Sequence, residues 1–223
     1  MVALTLAGAG CGRDRRPPGP SPPATTASGA APAGFAVPVL TRTAGFRHAS
    51  IQNGVAAIRR LGRRHGFAVD DTADAARIGP GLARYRAAVF LSTTGDLLDP
   101  GQQAALERYL HSGDGWVGVH GAAALAGKLP RRWERSDEWY DFRADPRGQV
   151  RVLATVAEST YTGGGMGADH PIAWCQEYEG GRSWYSAMGH TSESFQDPRF
   201  LTHLLAGIRY AAGQTAARCN PGS

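Results

Sequence analysis

Lysine is almost absent from this 223-residue chain, and Lys128 is the only one. The positive charge is therefore carried by arginines, which are scattered over many segments and give a formal net charge of +5. A net positive charge can indicate an acidic partner. However, the chain has no basic stripe with interleaved aromatic residues, the pattern typical of nucleic-acid-binding proteins. We therefore expect no nucleic-acid partner.

Several common catalytic motifs are also missing. The chain contains no G-x-S-x-G, C-x-x-C or H-E-x-x-H string. Residues 113–118 match G-x-G-x-x-G, but the dinucleotide-binding fingerprint follows a strand and opens a helix. Here the string precedes an apolar strand-like run, so it does not predict a nucleotide cofactor.

No stretch reaches the ~18 apolar residues that a membrane-spanning helix needs, but the N-terminus indicates export. Cys11 follows a small apolar run that ends in Gly8-Ala9-Gly10. This pattern resembles the lipobox of bacterial lipoproteins and predicts that residues 1–11 are a truncated signal segment, with Cys11 lipidated. The alternative is an apolar tip with a free thiol. Residues 12–34, rich in Pro, Ala and Ser, are predicted to be a disordered tether.

The cysteines are few, only three, and their use depends on the compartment. If Cys11 carries a lipid, Cys175 and Cys219 remain, and exported proteins tend to pair their thiols. We therefore predict a disulfide between them that attaches the C-terminal tail, residues 214–223, to the domain. The alternative is two free thiols in a cytosolic protein. The predicted location is extracytoplasmic, as a secreted protein or a lipoprotein that touches the membrane only through its anchor.

The folded domain is predicted over residues 35–213, in which short apolar strands alternate with helices. Strands are expected at 36–40, 67–69, 87–91 and 116–120. Helices are expected between Ser50 and Gly66, around 82–84, and between Pro100 and Gly113. This alternation implies an α/β three-layer sandwich with a mainly parallel sheet. The second half predicts strands at 150–156, 172–174 and 182–188, and a last helix at 198–212.

His120 stands where the apolar run Trp116–Val119 ends. In an open α/β sheet, ligands bind at the carboxyl ends of the strands, and an imidazole there can act as acid, base or metal ligand. The loops that end in His48 and Asp96 also leave carboxyl strand ends, so all three are expected on one rim. The alternative for His120 is a core-edge histidine bonded to a backbone carbonyl.

Several strings in this order resemble the ThuA-like family, named for trehalose utilisation. They are TRTAGFRH (41–48), GVH (118–120), DEWY (137–140), GADHPIAW (167–174), and GRSWY (181–185) leading to GHT (189–191). The resemblance implies a flavodoxin-like, class I glutamine amidotransferase-like fold without its nucleophilic cysteine, whose place His120 takes. It also implies carbohydrate metabolism, with glycosides or keto-sugars formed by a partner dehydrogenase as substrates.

One departure from the family lies after His120. Ala124–Lys128 joins the histidine strand directly to Leu129-Pro130-Arg131-Arg132-Trp133, where family members carry several dozen more residues. Part of the usual domain is therefore expected to be missing beside the rim. The deletion can leave the pocket open, or leave an inactive fragment.

Zinc or another divalent metal is bound by histidine nitrogens and carboxylate oxygens. We predict His120, Glu138 and His190 as catalytic residues and as the metal ligands, with His48 or His170 as further donors. Asp137 is expected to tie down its loop, because adjacent residues of an extended chain point in opposite directions. The alternative is that these residues hydrogen-bond a sugar, or fix loops, without a metal.

The remaining polar and aromatic residues of these strings are predicted to bind substrate. They are Thr43, His48, Thr93, Asp96, Trp139, Tyr140, Asp169, His170 and Thr191. Aromatic rings can stack on a sugar, although large aromatics, Trp174 and Tyr185 among them, are more often core. Two functions stay open: a hydrolase or lyase on glycosides or 3-keto-glycosides, and a non-catalytic sugar-binding module. Both take a small-molecule sugar as partner.

Overall fold

Seven strands and three helices make up the part of the chain that this computed structural model describes, residues 34–121 and 133–221. In chain order they are β1 (Ala36–Leu40), α1 (Ile51–His65), β2 (Ala68–Thr72), β3 (Ala87–Leu91), α2 (Pro100–His111), β4 (Gly115–Val119), β5 (Arg151–Thr155), β6 (Pro171–Tyr178), β7 (Gly181–Ser186) and α3 (Pro198–Ala211). The predicted signal segment, Cys11, the tether up to residue 33 and the deletion at 124–128 lie outside the described residues.

The strands form one sheet in the order β2-β1-β3-β4-β7-β6-β5. Strands β2, β1, β3, β4 and β7 are parallel. Strand β6 runs antiparallel to β7, and β5 runs antiparallel to β6 at the edge of the sheet. This mainly parallel arrangement, with helices on both faces, confirms the predicted fold class.

The core lies on both faces of the sheet because successive residues of a strand point to opposite sides. Val39 and Val89 belong to a cluster with the apolar faces of α1 and α3. Their neighbours Leu40 and Phe90 belong to a second cluster that contains Tyr109 of α2. All five residues of β3 are buried, as expected for a strand covered on both faces.

Strand β6, expected at 172–174, continues to Tyr178, and the segment after α1 also differs from the predicted elements. The pattern predicts a strand at 67–69, whereas β2 continues to Thr72 through Asp70 and Asp71. Because β2 is an edge strand, its carboxylates can reach solvent, and a search for apolar runs ends too early. The short helix expected around 82–84 is a 3₁₀ turn over Pro80–Arg84, too short to sustain an α-helix.

Cys175 of β6 and Cys219 of the C-terminal tail form a disulfide, with Cα atoms 5.1 Å apart. Disulfides persist in oxidising compartments, so this bond indicates an extracytoplasmic location. Within residues 34–121 and 133–221, none of the helices combines the length and the apolar character needed to cross a bilayer.

Helix α3 packs closely on the sheet at Gly207, where a Cβ atom would overlap the buried indole of Trp184. We predict that Gly207→Ala lowers the free energy of unfolding by about 2 kcal/mol. The overlap costs about 3 kcal/mol, which exceeds the roughly 1 kcal/mol that alanine contributes as a better helix former. Urea denaturation measures the change. Gly81→Ala is the control, because a Cβ there meets nothing within 4 Å; equal stability of the two variants would contradict the prediction.

Candidate functional site

His120 sits one residue beyond β4 in a strained, left-handed conformation. Its φ is 42° and that of Gly121 is 79°, a region that residues with a Cβ rarely adopt. The turn is fixed by β7, since the His120 N–H donates to the Ser186 carbonyl at 2.9 Å. The ring is fully buried, and Nδ1 donates to the Ala187 carbonyl at 2.9 Å. In the neutral ring, Nε2 therefore presents a lone pair to the rim.

Two further imidazoles lie close to His120 Nε2. His48, in the loop between β1 and α1, places its Nε2 3.0 Å from His120 Nε2. His190, in the loop after β7, places its Nδ1 3.2 Å from the same atom. Both loops leave carboxyl strand ends of the parallel sheet, so the strand order brings these three histidines together.

Glu138, which lies between β4 and β5, is the fourth member of the cluster. Its Oε2 lies 3.5 Å from His48 Nε2, 3.3 Å from His120 Nε2 and 3.2 Å from His190 Nδ1. The side chains of His48 and His120 are 3% and 0% exposed, whereas those of His190 and Glu138 are 38% and 47% exposed. The cluster is therefore closed on one side and open to solvent on the other.

The spacing of these four atoms fits a shared divalent cation. In a tetrahedral zinc site with bond lengths of about 2.0–2.1 Å, neighbouring ligand atoms lie ~3.3–3.4 Å apart. Five of the six pairs here are separated by 3.0–3.5 Å, and all four atoms lie within 4.8 Å of one another. Hydrogen bonds alone do not explain this convergence, because the single lone pair of His120 Nε2 cannot accept from every neighbour.

The electrostatics of the cluster favour the forms that can bind a cation. Burial lowers the pKa of His120, and the neighbouring His48 adds to this, so the ring is neutral near pH 7. Burial by itself would raise the pKa of Glu138, but its hydrogen bond from Tyr140 and the nearby His190 outweigh burial and leave the pKa below its usual value. His120 thus presents a neutral imidazole and Glu138 a carboxylate, the ligand forms that metals require.

Tyr140 borders the open side of the cluster. Its hydroxyl donates to Glu138 Oε2 at 2.8 Å and lies 3.0 Å from His120 Nε2. Burial and the hydrogen bond to Glu138 raise the pKa of the phenol, so the hydroxyl stays protonated. Tyr140 therefore orients the carboxylate and presents a hydrogen-bonding group beside it.

A buried ion pair between Arg135 and Asp137 holds the loop that carries His190. The Asp137 carboxylate, fully buried, accepts from the backbone N–H groups of Gly189 and His190 at 3.1 and 2.9 Å. Arg135 donates to Asp137 at 2.6 Å and to the Ser194 hydroxyl at 2.8 Å. Asp137 and Glu138 thus point to opposite sides of the chain, one into the protein and one into the site. Sequence reasoning missed Arg135, which its i,i+2 spacing to Asp137 could have indicated.

Two other predicted substrate-binding residues, His170 and Asp169, are paired with side chains outside the cluster. His170 is buried against Glu158, 2.7 Å from Nδ1, and the Tyr140 carbonyl, 3.1 Å from Nε2. Glu158 also accepts from the backbone of Met166 and Gly167, so this second group of polar side chains fixes the glycine-rich loop. Asp169 pairs with exposed Arg147.

The remaining candidates show no contact to the four clustered atoms in the part of the chain that the structure describes. Thr191 bonds the hydroxyl and backbone N–H of Ser194, Thr93 is buried, and Thr43 and Asp96 lie in the rim loops. Trp139 packs partly against the main core, in which Trp174 and Tyr185 are buried. The rings of Trp174 and Tyr185 are therefore not available to a ligand.

The model of the ThuA family, described as trehalose utilisation, matches residues 36–128 and 124–211. Those two segments cover more than half of the sequence. The chain belongs to the ThuA family. The two segments overlap at residues 124–128, where the resemblance to the family predicts a deletion.

Solved structures agree with the ThuA fold. A ThuA-like protein from Bacteroides uniformis superposes with a TM-score of 0.63 at 20% identity, covering 84% of this chain and 94% of that one. A ThuA-like protein from Parabacteroides merdae gives a TM-score of 0.54 at 14% identity, covering 82% and 92%. At these identities the likeness shows the fold alone. No curated protein matches the chain.

Removing Arg135 would leave the Asp137 carboxylate of this ThuA-family site buried without its cation. We predict that Arg135→Met lowers the free energy of unfolding by about 3 kcal/mol. Adding Asp137→Asn to this variant is expected to recover part of the loss, because the amide removes the unpaired charge. Urea denaturation of the three proteins provides the measurement.

The control for this prediction is Arg59→Met. Arg59 pairs with Asp71 on the surface, where its side chain is 53% exposed, and exposed pairs contribute at most about 1 kcal/mol. If Arg135→Met and Arg59→Met prove equally stable, the buried pair does not hold the His190 loop in the way described.

Proposed function

We propose that the protein is a metal-dependent enzyme of carbohydrate metabolism that acts on a glycoside or a keto-sugar. The observation that carries the proposal is the convergence of three imidazole nitrogens and one carboxylate oxygen at separations of 3.0–3.5 Å. Membership of a family described as trehalose utilisation supports a sugar as the substrate class. A small-molecule sugar is accordingly the proposed partner.

The proposed ligands are His48 Nε2, His120 Nε2 and His190 Nδ1, with Glu138 as fourth ligand or as a base beside them. Imidazole and carboxylate donors suit zinc or another divalent transition metal. His120 has the hydrogen bond from its other nitrogen to a backbone carbonyl that is common in metal-binding histidines. A bound ion would polarise a carbonyl or hydroxyl oxygen of the sugar.

In this proposal Glu138 is the general base. The Glu138 side chain is half-exposed, and its Oε2 accepts from Tyr140 and is held in the ionised form by its neighbours. In a lyase, Oε2 takes the proton from C2, which lies between the ketone and the anomeric carbon of a 3-keto-glycoside. The bond from C1 to the glycosidic oxygen then breaks, and the leaving oxygen takes a proton from water. In a hydrolase, it takes the proton from the attacking water. The Tyr140 hydroxyl keeps its own proton and fixes the direction of the carboxylate.

A second candidate is a sugar-binding module with a structural ion. It is favoured by the number of protein donors, because structural zinc sites use four protein ligands whereas catalytic sites keep one position for water. The two candidates differ in the role of Glu138. As a structural ligand it would hold the ion, and as a base it would act on substrate.

Metal binding is tested first. We expect about one divalent ion per chain by elemental analysis and Co²⁺ titration, and at least about tenfold weaker binding in His120→Ala and His190→Ala. His111→Ala is the control, since that ring pairs with Glu179 on the surface and should leave metal binding unchanged. A wild-type protein that binds no metal, or a His120→Ala variant that binds it normally, would rule out the proposed metal site.

Glu138→Gln then separates the enzyme from the binding module. If Glu138 is the base, the variant retains its metal and loses turnover of glycosides or 3-keto-glycosides by about 100-fold or more. If Glu138 is a structural ligand, the variant loses metal affinity instead. Wild-type protein that binds its metal but turns over none of these sugars would favour the module.

We also propose that Cys11 is lipidated and anchors the protein outside the cytoplasm. The small-residue run before Cys11 supports this location, as does the disulfide of the folded domain. We predict that the protein produced from its own gene fractionates with membranes, and that Cys11→Ser shifts it to the soluble fraction. Cys219→Ser, which removes only the disulfide, should stay with the membranes. A wild-type protein found wholly in the soluble fraction would contradict the anchor.

A further inference from the structure

Phe46 is the most exposed large apolar side chain in the part of the chain that the structure describes. Its exposed fraction is 70%, and the only other large exposed apolar residue there is Tyr178, at 45%. A single exposed aromatic ring is by itself unremarkable on a protein surface. What distinguishes Phe46 is its position in the loop that carries His48, beside the metal-ligand cluster.

The loop that carries Phe46 is held rigidly against a neighbouring loop. The backbone N–H groups of Ala44 and Gly45 both donate to the Thr94 carbonyl, at 2.7 and 3.1 Å. The Thr94 hydroxyl donates in turn to the Phe46 carbonyl at 2.7 Å. Gly95 allows this close approach, because its φ is +74° and a Cβ there would lie 3.0 Å from the Gly45 nitrogen. The exposed ring therefore stands on a fixed backbone.

The Phe46 ring borders the cluster directly. Its centroid lies 4.9 Å from that of His48, and the two rings meet at 84°. Because the contact is T-shaped, the two rings are not stacked face to face. The next imidazole, His120, lies 4.4 Å from His48, centroid to centroid. Phe46 is therefore in direct contact with one of the four clustered residues.

We propose that Phe46 is the stacking surface for the apolar C–H face of a sugar ring bound at the cluster. The inference rests on the proposed sugar-handling function and adds the residue that would bind the substrate ring. Carbohydrates present one face of C–H bonds, which loses contact with water when it packs on an aromatic ring. A rigid ring loses little conformational freedom on binding. Trp174 and Tyr185 cannot take this role because they are buried in the core.

The test measures binding of trehalose and of methyl α-glucoside by calorimetry, with Co²⁺ binding measured on the same proteins. Phe46→Ala and Phe46→Leu should weaken sugar binding by about tenfold. This corresponds to about 1.4 kcal/mol of binding free energy, as expected when one aromatic contact is lost. Phe46→Trp should retain it, because the indole keeps a flat face. Tyr178→Ala, which removes the other exposed aromatic ring, is the matched control and should bind both sugars like the wild type.

The two readouts separate this inference from the proposed metal enzyme. Weaker sugar binding in Phe46→Ala with unchanged Co²⁺ binding supports the stacking role. Sugar binding that is equal in wild type, Phe46→Ala and Phe46→Leu overturns it, whatever the metal does. Wild-type protein that binds neither sugar also overturns it, while normal Co²⁺ binding in that protein would leave the metal site standing.

Discussion

The site depends on the left-handed turn at His120. A residue at the end of an ordinary strand would continue into the next loop, but the φ of 42° turns the imidazole into the protein. Two hydrogen bonds hold it there, because the backbone N–H of His120 donates to Ser186 at the end of β7 and Nδ1 donates to the carbonyl of Ala187. The turn therefore forms only when β4 and β7, which are far apart in sequence, lie side by side. His190 lies four residues after the end of β7, so the same pairing that strains His120 brings the second imidazole to it.

The sequence pattern predicts much of this architecture, because buried strands have to be apolar. Strands β1, β3 and β4, helices α1 and α3, and the mainly parallel sheet all follow from apolar runs and helical spacing. The edge strand β2 is less visible to this reasoning, since its Asp70 and Asp71 need no partner in the core. That His48 and His120 share a rim is also predictable, because each follows the carboxyl end of a strand.

The distances within the site lie beyond the reach of sequence reasoning. His48 and His170 are equally plausible donors in the sequence, yet one meets His120 at 3.0 Å and the other is buried against Glu158. The aromatic residues show the same limit. Trp174 and Tyr185 point into the core, while Phe46, two residues before His48, points outward. Local patterns indicate which residue types are present, and only the packed chain decides which face each side chain takes.

Two of the four clustered side chains are buried and two are exposed, which limits the direction from which a ligand can enter the cluster. The His48 and His120 side chains are buried, and in the described part of the chain the exposed members of the cluster are Glu138 and His190, which form the approach to it. An ion and a sugar would have to use this same approach. In the proposed function, a sugar lying over the open side would then block the ion beneath it from leaving. Loading would be ordered, with the ion bound first and released last.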